Sequence, residues 1–270
     1  LVKAMEQVCA GNLETSVETE RGDEIGVLYD SFNHMTGEMR NLIDTIYREQ
    51  EKLRREELKA LQAQINPHFL YNTLDSIIWS LRMRQVEESI EMLTALTDFF
   101  KISLSKGRDI ITIEEEVKHI KSYLSIQHRR YQEKFDYDIH VDPSILSCRT
   151  PKLILQPVVE NAIYHGIKPM EEKGYIYIHI FPQEGDVILQ VQDTGMGMDE
   201  DTCRRLNREL DTISSDQQGT GYGVRNVNDK IKIVYGSKYG VTIESAMGEG
   251  TVVTLRIGKK GETSDESDYL

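Results

Sequence analysis

Apolar positions in the first third of the chain keep a helical rhythm. Residues 1 to 10 read as the end of one helix, GNLETSVETERGDE follows as a polar connector, and a second helical pattern starts at about Asp23. From there to about residue 84 the chain is rich in Glu, Leu, Lys, Arg, Gln and Met, and Pro67 is its only proline. Leu42, Ile46, Leu53, Leu58, Leu61 and Ile65 are spaced like a coiled-coil seam, and so long a helix needs a partner, so dimerisation is expected. Val86, Ile90, Leu93, Leu96, Phe100 and Leu104 predict a helix over 86–105 that folds back antiparallel, and two such hairpins make a four-helix bundle. A further amphipathic helix is predicted over 113–134, its first-turn glutamates following Thr112, where the helix dipole favours them.

Beyond about residue 136 the period shortens to two. YDIHV, YIYIHIF, VILQVQD, GVTIESA and TVVTLRI alternate as strands, between helical stretches at 151–166, 199–210 and 222–235. The fold class expected is therefore α plus α/β: a long dimeric helical bundle followed by a two-layer α/β sandwich. The acidic tail GKKGETSDESDYL has too little apolar surface to pack.

Composition narrows the function. A net charge of -13 argues against a nucleic-acid surface, and no run approaches the roughly 20 apolar residues needed to cross a bilayer, so the segment is expected to be soluble. It begins at Leu1 inside a helix pattern, as a piece of a longer, membrane-anchored protein would. Cys9, Cys148 and Cys203 are scattered without a CxxC pair, which disfavours a zinc site or a disulfide framework.

Three segments then carry chemistry in a fixed order: QPVVENAIYHG (156–166), DTGMG (193–197) and GTGYG (219–223). Asp193, at a strand end, can accept a hydrogen bond from an exocyclic amine and so select adenine. Gly195 and Gly197 let the backbone approach the ring. Gly219, Gly221 and Gly223 free the chain to wrap phosphates at the start of a helix, whose unpaired N–H groups and positive dipole end attract anions. Asn161 offers a neutral oxygen of the kind Mg2+ accepts. Glu160 is the neighbouring carboxylate able to polarise a nucleophile, although side chains one residue apart on a helix diverge by about 100°. The polar run DTISSDQQGTG predicts a lid over about 207–221.

In the first half, LQAQINPHFLYNTL stands out. Leu61, Ile65, His68 and Asn72 share one helical stripe, and a proline inside so long a helix costs roughly 3 kcal/mol, which suggests a functional return at the His68 imidazole. A neutral imidazole is a competent phosphoryl acceptor, and Asn72 is placed either to hold a water or to serve as a buried polar group.

Residues 136–258 resemble the ATP-binding domain shared by sensor histidine kinases, type II topoisomerases and related ATPases. By that resemblance Asn161 lies in the N box, Asp193 to Gly197 form the G1 box and Gly219 to Gly223 the G2 box. Pro157 stands where ATPase relatives often carry a second Asn or a catalytic Glu. QAQINPHFLYNTL resembles the phosphoacceptor motif of sensor kinases of the LytS and YesM kind, which makes His68 the phosphorylated residue. Phe69 replaces the acid most other sensor kinases place there, so the base is open, with Glu160 a candidate. Residues 1–47 resemble part of a HAMP linker. The domains expected are thus 1–47 (HAMP), 48–110 (dimerisation and phosphoacceptor helices), 111–135 (connecting helix), 136–258 (ATP-binding domain) and 259–270 (tail). The resemblance implies Mg-ATP as substrate, a homodimer and transfer to a response regulator. An ATP-driven conformational machine, or a dimeric scaffold without kinase activity, are the alternatives.

Overall fold

The structure, a computed structural model, describes residues 1–13, 16–17, 24–63, 67–104, 108–131, 134–211 and 222–259. It falls into two compact units, Leu1–Asn66 and Pro67–Leu270.

The first unit holds α1 (Val2–Cys9) and α2 (Glu24–Ala63). Asn33 of α2 grips the connector with both ends of its amide, accepting from Val17 N at 2.9 Å and donating to Val17 O at 2.8 Å. Phe32 and Thr36 are buried, whereas Leu42 and Ile46 of the expected seam are exposed in the single chain. The side chains of Leu53, Leu58, Leu61 and Ile65 lie outside the described residues.

The second unit begins with the hairpin of α3 (Pro67–Arg82) and α4 (Val86–Ser103). Pro67 is the first described residue of α3, so whether it sits inside one long helix turns on residues 64–66. Continuity across 64–66 lies outside the described residues. Then come β1 (Ile110–Thr112), α5 (Ile113–Arg130), β2 (Phe135–Val141), β3 (Arg149–Pro151) and α6 (Leu155–Asn161), which runs on as a π-helical turn, Ala162–Ile167. β4 (Gly174–Gln183), β5 (Asp186–Asp193), α7 (Glu200–Asp211), α8 (Tyr222–Tyr235), β6 (Gly240–Ala246) and β7 (Gly250–Gly258) complete it.

α5 opens with a capping box: Glu115 N donates to Thr112 Oγ1 at 3.1 Å and Thr112 N donates to Glu115 Oε2 at 3.0 Å. The five-stranded sheet has the order β2-β4-β5-β7-β6, with β2 parallel to β4 and every other pairing antiparallel. Alternation sorts its faces. Ile176, Ile178 and Ile180 of β4 point inward with Val187, Leu189, Leu255 and Ile257, while Tyr175 and His179 stay exposed. On the inner face one continuous core runs from Phe69, Phe99 and Leu96 of the hairpin, through Ile120 and Tyr123 of α5, to the sheet. The α5 helix is the shared wall, buried on most of its circumference.

Asn207 of α7 covers the β6 edge: its amide donates to Ile243 O at 2.8 Å and accepts from Ile243 N at 3.0 Å. Residues 207–211 therefore belong to α7, not to a lid; the rest of the expected lid lies outside the described residues.

Candidate nucleotide and phosphoacceptor site

The nucleotide segments converge at the ends of β5, α6 and α8. Asp193 closes β5 opposite Thr251 of β7, and its carboxylate oxygen Oδ1 accepts from Gly195 N at 2.8 Å. Burial pushes its pKa up from 3.8 to about 6, against the pull of backbone N–H groups from Gly195 and Thr251. The carboxyl is thus walled in yet ionised near neutrality.

The walls are glycine. A Cβ at Gly166 would stand 2.7 Å from Asp193 Oδ1, and one at Gly195 would stand 2.5 Å from that oxygen and 2.5 Å from the Gly166 backbone. Met196 N donates to Gly166 O at 3.0 Å, locking the turn after β5 to the end of the π-turn. Gly197 has φ +63° and a Cβ there would meet Ala246 O at 1.9 Å, so only glycine fits. Gly166 belongs to the site, though its sequence context, a lone glycine closing a helical run, signals only a helix end.

Asn161 is the last α-helical residue before the π-turn, whose bond from Lys168 N to Ile163 O at 2.8 Å spans five residues. Such wide turns recur at functional sites. Among the described residues the Asn161 side chain, half-buried, makes no hydrogen bond, so its oxygen remains available to a hard cation. Pro157, one turn earlier, packs against α8: a Cβ at Gly223 would meet the Pro157 Cβ at 3.2 Å. The proline that departs from the ATPase pattern thus seats the start of α8. Gly219 and Gly221 lie outside the described residues.

Glu160 turns towards α5, away from Asn161 as the helical geometry requires. Gln156 Nε2 donates to Glu160 Oε1 at 2.9 Å and the Tyr123 hydroxyl donates from α5; burial raises its pKa above the usual carboxylate range. Tyr123 had no functional signal in the sequence, where it reads as one apolar position of α5. Its ring lies 5.3 Å from that of Phe69, which also packs, tilted, 4.9 Å from Phe99.

His68 itself is exposed, next to buried Phe69, and makes no hydrogen bond or ring contact among the described residues. The path Phe69, Tyr123, Glu160 is what joins its helix to α6. Asn72 lies one turn beyond His68, and its Nδ2 is buried without a partner among the described residues.

A mixed sheet backed by helices thus carries a walled carboxylate at the end of β5, against the close of the π-helical turn. Residues 149–261 match the family described as histidine kinase-, DNA gyrase B- and HSP90-like ATPase. Residues 56–135 match the histidine kinase family and residues 1–41 the HAMP domain. The chain belongs to the sensor histidine kinases. It is 34% identical to sensor histidine kinase YesM of Bacillus subtilis over 97% of the chain and 44% of that protein, and 33% identical to sensor protein LytS of Bacillus cereus over 76% and 34%. It therefore spans less than half the length of these relatives. Among solved structures, histidine kinase ThkA in complex with response regulator protein TrrA aligns at 16% identity over 82% of this chain and 68% of that one, with a TM-score of 0.39.

Proposed function

We propose that this chain is the autophosphorylating part of a two-component sensor histidine kinase: it binds Mg-ATP between α6, the turn after β5 and the start of α8, and transfers the γ-phosphoryl group to His68. The observation that carries the reading is the walled Asp193 carboxylate assembled with Asn161 and Gly223 in the same unit as an exposed histidine. Asp193 accepts the adenine amine, the glycine turns admit the ring, and the α8 terminus with Gly219, Gly221 and Gly223 takes the phosphates. Asn161 holds Mg2+, which neutralises phosphate charge when bound. A ring nitrogen of His68 attacks the γ-phosphorus, the bond to the β–γ bridging oxygen breaks, and ADP leaves. Glu160, its basicity raised by burial, accepts the proton released by the imidazole. Asn72 then positions the water or partner group that removes the phosphoryl.

The phosphoryl group passes on to an aspartate of a response regulator receiver domain. The chain acts as a homodimer: Tyr71, Leu74, Ile78 and Leu81 of α3 recur at three- and four-residue steps and stay exposed, as do Ile90 and Leu93 of α4. The HAMP match supports an input segment over 1–47, with phosphoacceptor helices over 48–110, a connecting helix over 111–135, the ATP-binding domain over 136–258 and a tail over 259–270. No helix among the described residues is long and apolar enough to cross a membrane; the full-length protein is read as anchored at the cytoplasmic face of the membrane.

Incubation with γ-labelled Mg-ATP tests the reading. Wild type acquires an acid-labile, alkali-stable label and His68→Ala acquires none; label persisting in the variant refutes His68 as acceptor, and nucleotide binding without labelling favours the scaffold.

A further inference from the structure

Glu116 of α5 is fully buried, and neither the transfer chemistry nor the nucleotide contacts use it. Its two oxygens accept from different backbone groups at the start of α6: Leu153 N donates to Oε2 and Leu155 N to Oε1, each at 2.8 Å. α6 has no cap of its own, since Ile154 at its N-cap offers no side-chain acceptor. Leu153 has φ +60°, a left-handed conformation that a non-glycine residue keeps only when its surroundings impose it. The bond from Leu153 N to Glu116 is that imposition. Burial raises the Glu116 pKa, while the backbone N–H groups at the start of α6 and, more weakly, Lys230 of α8 pull it down, so one carboxyl addresses both helices whose starts meet at Pro157 and Gly223.

A local Ser or Asp would cap α6 at far lower desolvation cost than a carboxylate brought 37 residues along the chain. What the distant carboxylate adds is a tie to α5. Three residues on, His119 faces the hairpin, its Nε2 2.9 Å from Ser103 Oγ and its ring stacked 4.5 Å from Phe99.

We propose that Glu116 is a positioning residue of the nucleotide site, holding α6, and with it Asn161 and Glu160, in the pose that binds Mg-ATP and tying that pose to the helix on which the His68 hairpin packs. This rests on the ATP-binding reading above. Coupling of this kind is reciprocal, so nucleotide should tighten the Glu116 bonds as the bonds tighten nucleotide.

Titrating the full chain with Mg-ADP separates the possibilities. Glu116→Gln keeps the size but offers one acceptor for two donors, and its affinity should fall at least tenfold; Glu116→Asp, which restores both acceptors, should recover most of that loss. Amide exchange at Leu153 and Leu155 in wild type should slow at least tenfold more when Mg-ADP is added. Folded Glu116→Gln that binds Mg-ADP within twofold of wild type makes the residue a stability cap only and overturns the proposal. Should that variant not fold, the exchange readout decides: slowing by Mg-ADP upholds the proposal and unchanged exchange overturns it. Wild type that binds no Mg-ADP at all refutes the underlying nucleotide reading instead.

Discussion

At pH 7 the Asp193 carboxyl is ionised by a narrow margin, because burial holds its pKa near 6 rather than 3.8. An amine donor needs the ionised acceptor, so nucleotide affinity should fall as pH drops through 6, approaching tenfold per pH unit, while Asp193→Asn should bind at least tenfold more weakly at pH 7.5 and show no such slope. Isothermal titration between pH 5 and 8 measures both. Folding carries the opposite sign. A raised carboxyl pKa means that stability present below 3.8 is lost as pH rises to about 6, a cost of about 3 kcal/mol at most. Asp193→Asn without nucleotide should therefore melt no lower than wild type at pH 7.5, trading function for stability in one side chain. Gly197→Ala should behave otherwise: a Cβ 1.9 Å from Ala246 O at φ +63° forces the turn apart, and the loss, about 2 to 4 kcal/mol, should appear in denaturant unfolding. Asp193 and Gly197 were legible because strand-end Asp followed by Gly-x-Gly is a local pattern. Gly166, Tyr123 and Glu116 were not, since their roles depend on partners 27, 37 and 37 residues away.

Among the elements, alternation located the five strands of the main sheet, and three-to-four spacing located α4, α5 and α8, because each buries a defined face. The paired strands β1 and β3 escaped notice: at three residues each they are too short to show a period. The π-helical turn after Asn161 leaves no mark in the sequence, for ENAIYHG has ordinary helical spacing. Thr112 was legible through its glutamates, and the capping box makes it testable: Thr112→Ala should cost about 1 kcal/mol in denaturant unfolding, with nucleotide affinity unchanged.

For the whole molecule, the proposed homodimer turns on the exposed stripe of α3 and α4. Ile90 is 57% exposed, so Ile90→Asp leaves the single-chain core alone and should convert a sedimenting dimer to monomer without lowering helix content. A dimer that survives both Ile90→Asp and Ile78→Asp places the contact elsewhere. The fold class and the order of the parts were readable from periodicity. That the hairpin and sheet share one interior was not, since helix spacing shows which face is apolar but not what covers it.

The buried girth of α5 has a practical corollary for anyone cutting this protein into pieces. A fragment started at residue 136 or 149 would leave Leu153 and Leu155 without Glu116, strand β3 without β1, and the sheet without its nearest helix. A piece meant to keep these contacts around the proposed nucleotide pocket starts no later than residue 108, and the helix between His68 and the sheet is inherited by the sheet half as structural tissue, not as string.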